Sequence, residues 1–122
     1  MLRILSDSST PTCVVVEMGG PVIADELDAV KGAITSAIDA AGEAGAAMVI
    51  QVDGVPHLDG PATIQRAADL KADAFGLRRL AWVSDVKFLT EGVDIFGWLV
   101  PIDQKVFFAD ELEAAVAWAD GR

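Results

Sequence analysis

Apolar and polar positions alternate along this chain in two periods, and the places where one period gives way to the other mark its elements. Residues 80–83, Leu80-Ala81-Trp82-Val83, are continuously apolar, as in a strand covered on both faces. Ser84 and Asp85 end that run and suit the start of a helix over residues 86–99, which Pro101 stops. At 100° per residue Val86, Leu89, Val93, Phe96 and Val100 form one stripe of this helix, and Phe88, Ile95 and Leu99 form a second beside it. Lys87, Thr90, Glu91 and Asp94 take the opposite arc, with Trp98 among them, so a large aromatic is expected on the wet side. Residues 104–108 read as the next strand. Asp110 and Glu113 have the spacing of a capping box that opens a last helix, whose inner face is Leu112, Ala115, Val116 and Ala119, with Trp118 at its margin.

The first two thirds follow the same grammar. Residues 3–5 and 12–18 read as strands joined by a polar turn, an antiparallel hairpin, and Gly19-Gly20-Pro21 breaks the sheet. Asp25 and Glu26 place negative charge in the first turn of a helix whose inner positions are Leu27, Val30, Ile34, Ile38 and Ala41. Gly45 is the expected C-cap, and residues 46–52 the central parallel strand. A loop rich in turn residues spans 53–61, followed by a helix over 62–75 with Ile64, Ala67, Ala68 and Phe75 inward, ended by Gly76. The order β-β-α-β-α-β-α-β-α gives an α/β fold with a mostly parallel sheet of about five strands and helices on its faces, one domain over residues 1–122.

The features from Arg79 to Asp85, then Lys105-Val106-Phe107-Phe108, then Asp110-Glu111-Leu112-Glu113-Ala114 leading to Ala117-Trp118, resemble the SpoIIAA-like group of the STAS superfamily. The resemblance implies a small domain that acts by protein contact. In phosphorylated STAS proteins an Asp followed by Ser or Thr stands where the second helix begins. Here Leu58-Asp59-Gly60-Pro61-Ala62 puts Gly60 in the hydroxyl's place and leaves Thr63 as the nearby hydroxyl, so no phosphoswitch is expected.

Composition narrows the function classes. Nine Lys and Arg against 19 Asp and Glu give a net charge of −10, which argues against nucleic acid and anionic membranes. Although 52% of residues are hydrophobic and the mean hydropathy is +0.41, no apolar run has the length of a membrane span, and no stable membrane insertion is expected. The first residues lack the apolar core of a signal peptide, so the expected location is cytoplasmic. Cys13, the single cysteine, stands before three valines and reads as a buried strand thiol. Asp53, His57 and Asp59 share the 53–61 loop at the carboxyl end of the central strand, where open α/β sheets bind ligands. Without a further convergent ligand they read as a capped helix start and a solvated histidine, so no metal, cofactor or catalytic residue is assigned. The expected contact surface is instead Phe88, Ile95, Trp98 and Leu99, meeting a second copy in a homodimer or an unidentified protein partner. The alternative is a carrier of a small apolar or lipid-like ligand beneath residues 86–99, a reading supported by the likeness of SpoIIAA-like and Sec14-type lipid-binding folds.

Overall fold

The computed structural model describes residues 1–53, 57, 58, 60–74, 76–84 and 102–121, with the backbone alone for 71–74. In chain order the elements are β1 (Leu2–Ile4), β2 (Cys13–Met18), β3 (Pro21–Val22), α1 (Ala24–Ala41), a 3-10 turn (Gly42–Ala44) and β4 (Ala46–Val52). Then follow β5 (His57–Leu58), α2 (Gly60–Ala74), β6 (Leu77–Val83), β7 (Asp103–Phe107) and the last helix, α3 (Leu112–Ala119). Five strands form one sheet in the order β1-β2-β4-β6-β7, and β3 pairs with β5 in a small second sheet. β1 runs antiparallel to β2 and every other neighbour in the main sheet is parallel. β4 is central and keeps the bounds read from its apolar run.

Successive side chains of a strand point to opposite faces, so each apolar strand feeds two cores. Val14, Val16, Met48 and Leu80 face α1, which contributes Leu27, Val30, Ile34 and Ala37; Ala67 and Leu70 of α2 pack beside them. Cys13, Val15, Ala47, Val49, Ala81, Val83 and Phe107 face the other way and meet Ala115 and Ala119 of α3. β2, β4 and β6 add to the sheet in one direction, and right-handed crossovers then place α1 and α2 on the same face. The opposite face is covered by α3, eight residues long, and by the turn after β1, where Leu5 packs on the core and the Ser9 hydroxyl accepts the Val15 N–H at 3.0 Å. Ile34 and Val49 are fully buried, each worth about 1.5–3 kcal/mol of transfer free energy.

Several local expectations are corrected. The first helix ends at Gly42 (φ 57°), three residues before Gly45, and a 3-10 turn fills the gap. α2 begins at Gly60 and buries Thr63, with Ala67 and Leu70 half-buried along the same line, whereas Ile64 is 56% exposed and Ala68 is exposed. The small Ala67 in the middle of the Thr63, Ala67, Leu70 line lets α2 lie close to the core, and Ile64 falls about 100° away from Thr63. Gly19-Gly20-Pro21 does not simply end a strand, because Pro21 and Val22 pair with His57 and Leu58. The last helix takes Glu111, not Asp110, as N-cap; the Glu111 carboxylate accepts the Phe108 N–H at 2.8 Å, closing the turn one residue later than the spacing suggested. β7 ends at Phe107, which is buried, and leaves Phe108 69% exposed. Phe88, Ile95, Trp98, Leu99 and the expected helix over 86–99 lie outside the described residues, as do Asp59 and Phe75.

Candidate functional site

The carboxyl ends of the parallel strands are drawn together by backbone contacts. Asp53 N–H donates to the Met18 carbonyl at 2.8 Å, and Gly19 lies so near that a Cβ there would stand 1.9 Å from the Asp53 carbonyl oxygen. A residue without a side chain is therefore required for β2 and β4 to end side by side. Beyond this junction the His57 N–H donates to the Gly20 carbonyl at 2.9 Å, which starts the β3–β5 pair and turns Leu58 outward beside Val22. Val22 is buried beneath, while Pro21, His57 and Leu58 are exposed.

Glu26, in the first turn of α1, ties this end to the strand at the sheet edge. One carboxylate oxygen accepts the Ile23 N–H and the other the Leu2 N–H, both at 3.0 Å. The bond from Leu2, then that from Ile23 and the nearby amino-terminal charge, hold the Glu26 carboxyl below its ordinary value of 4.5, against an opposing push from burial. The amino terminus itself donates to the Gly19 and Pro21 carbonyls. An exposed Arg66–Asp28 pair at 3.3 Å links α2 to α1.

Of the residues singled out in sequence, Asp53 and His57 stand exposed at this end, Gly60 (φ 84°) opens α2, and Thr63 is 4% exposed beneath the helix start. A hydroxyl so covered is reachable by a modifying enzyme only after local opening. Among the described residues no three His, Cys, Asp or Glu side chains converge as a metal site. Cys13 is fully buried.

Sequence reasoning missed the large apolar side chains at this end. Ile23 (50% exposed) precedes α1, Leu58 (41%) lies in β5, Ile64 (56%) in the second turn of α2 and Phe108 (69%) just past β7. Asp25, Asp53 and Asp110, in the same segments or beside them in sequence, are exposed as well. The Phe107-Phe108 pair held one usable signal, since adjacent strand residues face opposite ways and both rings cannot enter the same core.

The opposite end of the sheet is a latch. Asp120 accepts the Thr12 hydroxyl at 2.6 Å and the Thr10 hydroxyl at 3.0 Å, while Arg79 donates to the Trp118 carbonyl at 2.6 Å and Arg78 to the Ala119 carbonyl at 3.3 Å. The Arg79 guanidinium also lies over the Trp118 ring, 5.2 Å from its centroid. Two cations thus meet the negative end of the α3 dipole.

The SpoIIAA-like family model matches residues 13–120. The chain belongs to the SpoIIAA-like family. An uncharacterized protein from Shewanella loihica with a SpoIIAA-like fold is similar in structure, with a TM-score of 0.68 at 13% identity over 98% of this chain and 92% of that one. That likeness concerns the fold. No curated protein matches the chain. In this SpoIIAA-like domain the turn and latch at the amino ends of the strands hold α3 in place, and the carboxyl ends present the exposed apolar side chains. Folds of this kind serve broadly as regulatory or interaction domains.

Proposed function

We propose that this SpoIIAA-like domain works by protein contact and not by catalysis, through the carboxyl end of its sheet. The observation that carries the reading is that Ile23, Leu58, Ile64 and Phe108, each at least 41% exposed, all belong to segments at that one end of the sheet. Four such side chains in water are an unfavourable surface that a partner relieves, and aromatic and aliphatic anchors at the centre of a patch carry most of the energy of a typical interface. The exposed carboxylates of Asp25, Asp53 and Asp110 define the partner's chemistry as a protein surface with apolar side chains flanked by Lys or Arg. The exposure of Asp53 and His57 and the burial of Cys13 support contact over catalysis, since none is placed as a desolvated acid, base or accessible nucleophile.

The test is site-specific photocrosslinking in the native host, with a benzophenone side chain in turn at Leu58, Ile64 and Phe108, and at exposed Ala40 on the far end of α1 as control. Adducts to the same protein from the first three positions and not from Ala40 are expected. Excess unlabelled wild-type chain should compete them away, and a Phe108→Asp chain should compete poorly. Adduct patterns that do not distinguish Ala40 from the other positions would sink the proposal.

A further inference from the structure

β7 is the last strand of the main sheet among the described residues, so its outer side is where a further strand can add. Its orientation is set by the hydrogen bonding on its inner side. The Phe107 carbonyl accepts the Ser84 N–H at 3.0 Å, toward β6, and backbone groups alternate along a strand. Val106 and Ile102 therefore direct their N–H and C=O groups outward. Phe108 would too, but its N–H is taken by the Glu111 carboxylate at 2.8 Å, which terminates the edge. On the α3 face Asp103 and Lys105 are both exposed, and Lys105 is steadied over the Phe107 ring, 5.1 Å from its centroid.

We propose that two copies of this chain join through β7, antiparallel, about a two-fold axis beside Gln104. In that register Asp103 of each copy lies opposite Lys105 of the other, and Ile102 opposite Val106. Cross-strand pairs of opposite charge attract and like pairs repel, which selects among the registers that face outward groups to outward groups. Moving the axis to Lys105 sets Lys105 against its own copy, and moving it to Asp103 does the same with two carboxylates. The axis beside Gln104 yields two opposite-charge pairs and two pairs of half-buried apolar residues, with residues 102–106 of each copy lying along the same five residues of the other. Isologous contact of this kind needs a patch complementary to itself under a two-fold rotation, and the sequence Ile102-Asp103-Gln104-Lys105-Val106 has that property in both charge and apolarity. The opposing reading is that Asp103 and Lys105 blunt the edge and keep the chain monomeric.

Sedimentation velocity of the full chain at about 0.15 M ionic strength decides between them. A single strand pair is smaller than a standard interface, so the concentration series runs to about 1 mM. Lys105→Asp sets acid against acid, and Asp103→Lys sets base against base; each is expected to weaken the dimer about tenfold or more. The double variant Asp103→Lys with Lys105→Asp restores opposite charges and should return to within about threefold of wild type. The single swaps move the net charge in opposite directions, so a change driven by net charge alone would strengthen one and weaken the other. Melting curves identify any variant that fails to fold, and wild-type hydrogen exchange then supplies a second readout, with Ile102 and Val106 amides more protected at high concentration. A wild-type monomer throughout the series, single swaps without effect, no rescue in the double variant, or exchange at those two amides independent of concentration overturns the proposal.

Discussion

Replacing Arg79 with Met keeps most of the aliphatic stem and removes the guanidinium from the end of α3. Helices of eight residues are not stable alone, so α3 depends on its docking. Its two fully buried side chains, Ala115 and Ala119, are small, and Leu112, Val116 and Trp118 are only partly buried against the same core, so the latch adds to a limited apolar contact. A hydrogen bond from a charged donor is worth about 1.5–3 kcal/mol, a cation over a partly exposed ring about 0.5–1 and a cation at a helix end about 0.3–1. These act through the same guanidinium and overlap, so about 2 kcal/mol is expected for Arg79→Met, read by urea unfolding with unchanged slope. Hydrogen exchange localises the effect. Amides of α3 should lose protection through a local opening that leaves β4 held as before, apart from the shared global loss. A stability change below about 0.5 kcal/mol, or α3 amides no more affected than those of β4, would show that apolar packing alone docks the helix.

Two further substitutions test the other end of the sheet. Gly19→Ala should destabilise by about 3 kcal/mol or more, because its methyl carbon would stand 1.9 Å from a backbone oxygen and one strand end must move; thermal unfolding measures it, and a loss under about 1 kcal/mol refutes the close approach. Glu26→Gln tests the carboxylate held by Leu2 and Ile23, whose folded value lies below 4.5, so the folded chain takes up its proton later than the unfolded one. The advantage of wild type over the variant should be full at neutral pH, begin to fall near 4.5 and disappear as the folded value is passed; an advantage that stays constant down to pH 3 contradicts this assignment.

The fold was legible wherever burial on both sides made a run of residues uniformly apolar. β4 shows this best, since Ala46–Val52 is flanked by β2 and β6 and has helices on both faces. The two-residue strands β3 and β5 were not legible, because a period cannot be read over two positions and their pairing depends on the Gly19–Asp53 junction between distant parts of the chain. At the candidate site the exposed polar residues Asp53 and His57 were found from their place after the central strand. The apolar ones were missed for a physical reason: periodicity assigns an Ile in a helix to the core, and Ile64 is kept out by tertiary packing along Thr63, Ala67 and Leu70. The aromatic surface expected over 86–99, with Trp98, lies outside the described residues.

Strand order also bears on what kind of partner such a domain can hold. Doubly wound sheets reverse direction partway, sending neighbouring crossover helices to opposite faces and opening a crevice between them where nucleotides and other small molecules sit. Here β2, β4, β6 and β7 stand in the order in which they are made. Between these parallel strands there is no reversal, and α1 and α2 stay shoulder to shoulder on one face. Among the described residues the carboxyl end is accordingly built as a platform, and a platform is matched by the broad face of another macromolecule.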